Sequence, residues 1–398
     1  MSGTGHEIVV VSLESWNEVW RRNQYLVAEM LRADPGLRVL FVEPPADPLH
    51  DLLSRRRPGL GRPVRQIAAV DGVGPGRLHT VRPTKLLPRR IAAGGDRRRA
   101  RSVVRAARRL GFSTPTLWIN DLVGVDLLEA TDWPVLYDVT DDWLAADRAP
   151  AEHRRLASAE RRVLAGAAAV TVCSPALAAS KGTDRPVTLL TNGVDVGRYV
   201  RPAPRPADLP AGRTALYVGT LHADRLDVDL CVRTAEALGR EATLTLVGPS
   251  ALGTPDEDRL RSAGVALLGP RPWNEVPAYL QHADALVVPH VVNAFTDSLD
   301  PIKLYEYRAV GRPVVSTQVA GFRDSTDRRV MAVDSARFPE ATLAATRVAP
   351  PARDVPSDLP TWTGQAARMA RVVDEVRTAR ERRRGGAADG RAGVGRTG

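Results

Sequence analysis

The sequence predicts an α/β protein built from two Rossmann-like halves, and three observations lead there. Short, almost continuously apolar segments alternate with segments of helical spacing through both halves of the chain, the pattern of parallel strands covered by helices on both faces. A proline- and alanine-rich seam, "VRPAPRPADLPAGRT" at 200–214, interrupts that alternation, as linkers often do. At 398 residues the chain is long enough for two ordinary domains, each with its own core. The expected arrangement is two Rossmann-like domains facing each other across a cleft.

In the first half, "EIVVVSL" reads as an apolar strand, "WRRNQYLVAEMLRAD" as the helix after it, and "LRVLFVEP" as a second strand. Further strands follow at "TPTLWIND", "WPVLYDVTDD", "AAVTVCS" and "PVTLLTNGVD". In the second half the order is strand "TALYVGT", helix "VDLCVRTAEALG", strands "ATLTLVGP" and "GVALLGP", helix "WNEVPAYLQHA" and strand "DALVVPH". The stretch "DPIKLYEYRAVGRPVVST" at 300–317 opens like a helix, with a capping aspartate and a first-turn proline. Gly311 and Pro313 stop that helix, and Val314–Thr317 reads as a short buried strand. Lys303 and Glu306 lie three apart and share a face near its dipole-positive start. A phosphate and a sugar hydroxyl could be held there; so could a surface ion pair.

A second proline-rich piece at 348–360 leads into a final helix, "TWTGQAARMARVVDEVRTARERR", and the tail "RGGAADGRAGVGRTG" is low in complexity. The expected boundaries are a first domain over 1–203, a second over 204–363, a helix over 364–384 that returns to the first domain, and a disordered tail over 385–398. No short-period repeat is present.

Cys173 and Cys231 are the only cysteines, without metal-ligand spacing or a disulfide framework. The first residues lack a basic n-region and a long apolar h-region, and no apolar run is long enough for a membrane span. Together these predict a reduced, cytoplasmic setting, peripheral at the inner face of the cell membrane at most. Charge is uneven. Residues 1–205 hold 31 Lys and Arg against 22 Asp and Glu, residues 206–375 hold 18 against 22, and the tail 376–398 holds 7 against 2. Much of the first excess lies in "RRIAAGGDRRRARSVVRAARRLGF" at 89–112, around Arg97, Arg98 and Arg99. Such a face suits an anionic membrane surface or a phosphate-bearing substrate, and equally a solvated helix. Nucleic acid is not expected, because aromatics are 5% of the chain and no known nucleic-acid motif accompanies the charge.

Four separated pieces together resemble one family, the GT-B glycosyltransferases of group 1, or family-4-like type. They are "TNGVDVGRY" at 191–199, "LYVGTLHADRLDVDL" at 216–230, "GPRPWNEVPAYLQHADALVVPH" at 269–290 and the Pro-x-Lys-x-x-Glu-Tyr helix at 301–307. Their order and spacing agree over roughly residues 8 to 380. "YDVTDDW" and "RRNQYLV" are similar to the bacterial teichuronic-acid and exopolysaccharide members. The resemblance implies a GT-B fold whose last helix crosses back to the first domain, with Trp362 in the tether. It implies transfer of a sugar from a nucleotide-diphosphate sugar, of UDP or GDP type, to a glycan, lipid-linked or small-molecule acceptor hydroxyl. That is hexosyltransferase-like chemistry in cell-surface glycan or glycosylated-metabolite synthesis, with no required cofactor or metal.

The resemblance also assigns residues. Lys303 and Arg225, near Gly219, would neutralise the leaving diphosphate, and Glu306 would hold the ribose hydroxyls, as a carboxylate accepts from a cis-diol. Thr220 stands where many members have an arginine, and Ser298 where they have a donor-binding glutamate; Asp297 and Asp300 flank Ser298. Asp141, in the carboxylate cluster Asp138, Asp141 and Asp142 at a strand's C-terminal end, falls where many members have a sugar-contacting histidine. It would orient the sugar in a retaining enzyme, the preferred reading, or act as general base in an inverting one. Asp142 reads better as a helix cap. Arg21, Arg22 and Asn23, with Gln24, stand at a helix start where an acceptor phosphate could sit, or form a solvated face. His6, His222 and His290 read as structural or surface. A nucleotide-sugar epimerase and a non-catalytic glycan- or lipid-binding subunit on the same scaffold stay open.

Overall fold

The computed structural model describes residues 6–53, 57, 59–67, 70–85, 95–146, 148–349 and 355–392. The chain divides into two compact units, Met1–Leu190 with Thr363–Gly398, and Thr191–Trp362.

The first unit is built on eight strands: β1 (Glu7–Val11), β2 (Arg38–Val42), β3 (Arg62–Gln66), β4 (Leu78–Arg82), β5 (Thr116–Ile119), β6 (Val135–Val139), β7 (Ala169–Val172) and β8 (Thr188–Leu189). They lie in the order β3-β4-β2-β1-β5-β6-β7-β8, with β3 antiparallel to β4 and the other pairs parallel. Ile8 to Val11 and Leu117 to Ile119 are buried on both faces, which is why these strands carry unbroken apolar runs instead of alternation. β3 and β4 are absent from the expected strands; "RPVRQ" is a mostly exposed edge strand, so burial imposes no apolar run on it. The Trp362–Ala392 helix belongs to this unit. It buries Met369, Val372, Val373 and Val376, and Thr363 Oγ1 donates to Glu29 Oε2 at 2.8 Å.

The second unit holds β9 (Arg213–Val218), β10 (Ala242–Val247), β11 (Ala266–Gly269), β12 (Ala285–Val288), β13 (Val314–Thr317) and β14 (Val330–Val333) in the order β11-β10-β9-β12-β13-β14. Every pair is parallel. Ala215 and Tyr217 enter one core while Leu216 enters the other, so β9 separates two packed layers. The chain enters and leaves this unit side by side: Val194 pairs with Thr361 and donates to the Pro360 carbonyl at 2.9 Å. A Cβ on Gly193 would lie 2.8 Å from the Thr361 carbonyl carbon and the Trp362 nitrogen. Only glycine lets the two segments pass so closely.

Three expectations differ from the structure. The boundary falls at Leu190–Thr191, not at 203–204, because the proline-rich seam is tied into the second unit: Gln281 Nε2 donates to the Tyr199 and Arg201 carbonyls, its Oε1 accepts from Ala203, and Leu209 is buried. Helix continues to Ala392, past residue 384, while 393–398 lie outside the described residues. The helix at 302–310 takes Pro301 as its cap and receives no bond from the Asp300 side chain. That carboxylate accepts from Asn192 N and Tyr305 Oη instead, at 2.5 and 2.6 Å. Gly311 does end the helix, in the left-handed region at φ 79°.

Asp327 ties that helix to the start of β14. Its carboxylate accepts from Arg308 Nε at 3.2 Å and from Arg329 Nε and Nη2 at 2.9 and 2.7 Å, and its side chain is 6% exposed. Burial alone would raise its pKa, but the Arg329 and Arg308 bonds reverse that and carry it down from 3.8 to about 2. A carboxylate depressed on folding stabilises the protein above its unfolded pKa and loses that contribution as pH falls through the folded one. Asp327→Asn should therefore cost on the order of 1.5–3 kcal/mol at pH 7. The parent should lose this advantage between pH 4 and pH 2, so the two melting curves converge there. Calorimetric melting across that range checks it.

Candidate functional site

The second unit gathers charged side chains at the C-terminal ends of β9, β10 and β12, where open parallel sheets place ligands. Gly219 follows β9 at φ +153° and Gly248 follows β10 at φ +147°. A Cβ on Gly248 would run into the Gly219 carbonyl, and one on Gly219 would lie 2.6 Å from Lys303 Cε and Nζ and 3.0 Å from Tyr217 Oη. Two glycines thus clear the space into which Lys303 reaches. Its Nζ stands 5.1 Å from the Tyr217 ring centroid, a favourable cation–π position.

Burial, then Arg225, lower the Lys303 pKa to about 8 against an opposing pull from Glu306. Glu306 stands one turn further along the same face. Burial raises its pKa, opposed by the Tyr199 hydroxyl, which donates to Oε1 at 2.5 Å, and by Lys303 and Arg198. Desolvation outweighs mutual attraction in both partners, and no ion pair closes between them among the described residues. Arg198 also stacks on Trp273, its guanidinium carbon 3.3 Å from the ring centroid.

Arg225 is half-buried with its guanidinium 5.0 Å from the Phe295 ring centroid. Its loop is stitched to the loop after β12: Val291 N donates to the Arg225 carbonyl at 2.8 Å, and Asp227 N to the Pro289 carbonyl at 2.9 Å. Ser298 is buried, and its hydroxyl donates to the Phe295 carbonyl at 2.7 Å within its own turn. The carboxylates that flank Ser298 have local partners. Asp297 pairs with Arg323 at 2.9 Å, and Asp300 is engaged by Asn192 and Tyr305.

His290 joins this cluster in a structural role, one of the two readings, structural or surface, that the sequence left open. It is buried, Nε2 lies 3.0 Å from Tyr217 Oη, and burial, then Lys303 and Arg225, hold its pKa well below the usual range. The imidazole is neutral and buttresses the tyrosine beneath Lys303. Its signal was present in the sequence as a Pro-His pair directly after a buried strand, the end of the sheet that faces ligands. Tyr199, Tyr217 and Gly248 had no such marker, since their roles depend on which strands become neighbours.

The first unit shows a second polar cluster at the ends of β1, β5 and β6. Asp138 is fully buried and accepts from Arg22 Nη2 at 3.2 Å and Thr171 Oγ1 at 2.7 Å. Arg22 also donates to the Leu190 carbonyl at 2.8 Å. Asn23 Nδ2 donates to Asn120 Oδ1 at 2.7 Å and to Ser12 Oγ at 2.9 Å. The expectation that Arg22 and Asn23 hold an acceptor phosphate is therefore corrected. Arg22 is committed to a buried carboxylate, since an unpaired charge there would be costly, and Asn23 to its neighbours. Arg21 is half-buried, with Nη1 donating to the Val19 carbonyl at 3.3 Å.

Asp141 lies in the bend after β6, half-buried, accepting from Thr140 Oγ1 at 3.3 Å. Asp142 accepts from Leu144 N at 3.3 Å and pairs with Lys181 at 3.4 Å. The Leu144 bond closes a turn; the expected helix cap is not formed, because the next helix runs over Pro150–Gly166 with Ala149 as its cap. Among the described residues no group of three or more His, Cys, Asp or Glu is placed to hold a metal ion, and no helix is long and apolar enough to cross a membrane.

Comparison with known proteins connects the second of these units to a family. The model of glycosyl transferases group 1 matches residues 212–347. A putative teichuronic acid biosynthesis glycosyltransferase, TuaH of Bacillus subtilis, is 28% identical over 202 residues, 46% of this chain and 50% of that protein. The match thus spans about half the length of that relative. Among solved structures, Anabaena HepE in complex with UDP and glucose superposes with a TM-score of 0.62 at 13% identity, covering 92% of this chain and 99% of that one. OtsA in its apo form gives 0.60 at 10% identity, covering 93% and 95%. AviGT4, a glycosyltransferase involved in avilamycin A biosynthesis, gives 0.53 at 16% identity, covering 94% and 97%. Residues 212–347 are thus similar to the glycosyl transferases group 1 domain, in a chain of the GT-B fold.

Proposed function

We propose that the protein is a glycosyltransferase moving a sugar from a nucleoside-diphosphate sugar to an acceptor hydroxyl. One observation carries this reading: Lys303 reaches the glycine-bounded end of β9, with Glu306 one helical turn behind it. A diphosphate at this strand end meets a buried ammonium that regains full charge when an anion arrives. Arg225 supplies a second cation. Glu306 keeps an oxygen for the ribose diol while Tyr199 holds the other. UDP is the favoured nucleotide, because the Anabaena HepE structures contain UDP and UDP-glucose. TuaH and AviGT4 suggest a cell-surface glycan or a glycosylated metabolite as the product.

Asp141 is the candidate catalytic group. In a retaining transfer it orients the sugar while the leaving phosphate takes the acceptor proton; retention is the reading we favour. In an inverting transfer it takes that proton itself as the acceptor oxygen displaces the diphosphate.

The basic face of the first unit supports a further part of the reading, peripheral binding to anionic membrane. On the Gly95–Arg109 helix, Val103, Val104, Ala106 and Ala107 are buried, whereas Arg98, Arg101, Arg105, Arg108 and Arg109 are exposed. Arg97 pairs with Glu129 at 3.5 Å, and Arg99 turns inward to Asp96.

Three outcomes are expected. UDP affinity should fall as pH rises through about 8, where Lys303 loses its proton. Lys303→Met should remove that dependence and Glu306→Ala should weaken UDP at every pH, all measured by calorimetry. Normal UDP binding in both variants overturns the site. Asp141→Asn should melt like the parent, bind UDP nearly as well and lose at least about a hundredfold in turnover. Asp142→Asn should instead lower the melting temperature, at about 1 kcal/mol, and keep most of the rate. Liposome co-sedimentation should show binding to anionic vesicles that high salt abolishes; equal binding to neutral vesicles, or none to either, sinks the membrane part.

A further inference from the structure

Glu14 lies in the loop between β1 and the Arg22–Ala33 helix, and the transfer chemistry above makes no use of it. The loop is fixed by bonds that leave its carboxyl out. Ser12 Oγ accepts from Glu14 N at 3.0 Å, Asn120 Oδ1 from Leu13 N at 3.3 Å, and Glu43 Oε1 from Trp16 N at 3.0 Å, while Gln24 Nε2 donates to the Asn17 carbonyl at 2.8 Å. Residue 14 is therefore positioned from the ends of β1, β2 and β5 and from the helix, whatever side chain it bears.

The side chain itself is costly. Glu14 Oε2 is buried and has no hydrogen-bond partner among the described residues, although the residue as a whole is only half-buried. An unsatisfied buried acceptor is unfavourable, the more so when charged, and leucine would avoid it. The charged groups that face it are Arg21, Arg22, Asp138 and Asp141. Arg22 is already neutralised by Asp138, and Asp141 opposes a second negative charge. Burial, against the pull of Arg21, pushes the carboxyl up to about 7. The same loop carries Trp16 and Trp20, 6.0 Å apart edge to face, with Trp20 half-buried and 5.2 Å from Tyr25. Trp16 is buried against Phe41, which leaves the half-buried Trp20 and the unsatisfied Glu14 oxygen; an aromatic group with an unsatisfied polar one suits a small-ligand subsite, and a sugar ring offers both an apolar face and hydroxyls.

We propose that Glu14 is an acceptor-binding residue, its Oε2 receiving the hydrogen bond of a hydroxyl on a glycoside acceptor beside Asp141. The inference rests on the glycosyl-transfer reading and adds the residue that recognises the acceptor.

The test is calorimetric binding of p-nitrophenyl glucosides, galactosides and N-acetylglucosaminides to the full chain at pH 6 and pH 8, with UDP binding and melting temperature measured alongside. The ionised carboxylate is the better acceptor, so the parent should bind its preferred glycoside about tenfold more tightly at pH 8, following the ionised fraction. Glu14→Leu should lose at least tenfold in glycoside affinity, and Glu14→Gln should lose the pH dependence. Both should keep UDP affinity, and Glu14→Leu should melt no lower than the parent, because its unsatisfied buried oxygen has gone. Unchanged glycoside affinity in Glu14→Leu overturns the assignment, as does pH dependence surviving in Glu14→Gln. A drop in melting temperature in both variants also overturns it, since that marks a structural role. A parent that binds UDP but none of the glycosides defeats the acceptor assignment alone, whereas one that binds glycosides but no UDP defeats the glycosyl-transfer reading alone.

Discussion

The approach of Lys303 to the backbone at Gly219 is the constraint on which the second unit turns. A lysine held away from water keeps its proton poorly, and here the ammonium is poised near pH 8 with no carboxylate closing on it. That state is unfavourable for the free protein and favourable once an anion is present. Everything around it serves the approach. Gly248 clears the Gly219 carbonyl, Tyr217 lends its ring, and His290 stays neutral and fixes the Tyr217 hydroxyl.

The first unit solves the same packing problem with the opposite choice. Its buried carboxylate, Asp138, is matched by Arg22, Thr171 and their shared hydrogen bonds, so the strand ends are rigid and largely satisfied. Against that background one group stands out: Glu14 keeps an oxygen with no donor among the described residues. A satisfied network around an unsatisfied carboxyl is the arrangement in which binding energy, and not folding energy, explains the residue.

The order of the elements was legible in the chain because, apart from the edge strand β3, the strands of both sheets are parallel and their central ones are buried on two faces. β1, β5 and β9 had to be apolar without alternation, and they are. β3 was not legible, since an exposed edge strand leaves its residues free to be polar. The unit boundary was misplaced for a related reason. Proline and alanine mark a segment that cannot extend a helix or a central strand, and say nothing of whether it packs; Gln281, eighty residues away, decides that.

Among the candidate residues, those on one helix face were readable from spacing alone. Lys303 and Glu306 are neighbours because a helix makes them so. Arg22 and Asn23 looked like a cationic helix start, yet their partners, Asp138 and Asn120, lie on other strands that no local pattern ties to residue 22. By itself the sequence determined the two-part α/β plan and the helix that carries Lys303 and Glu306. Tertiary structure alone decided which charges are paired and which are left without a partner. Desolvation and hydrogen-bond supply depend on neighbours distant in sequence, and those two quantities separate a buried structural carboxylate from a binding one.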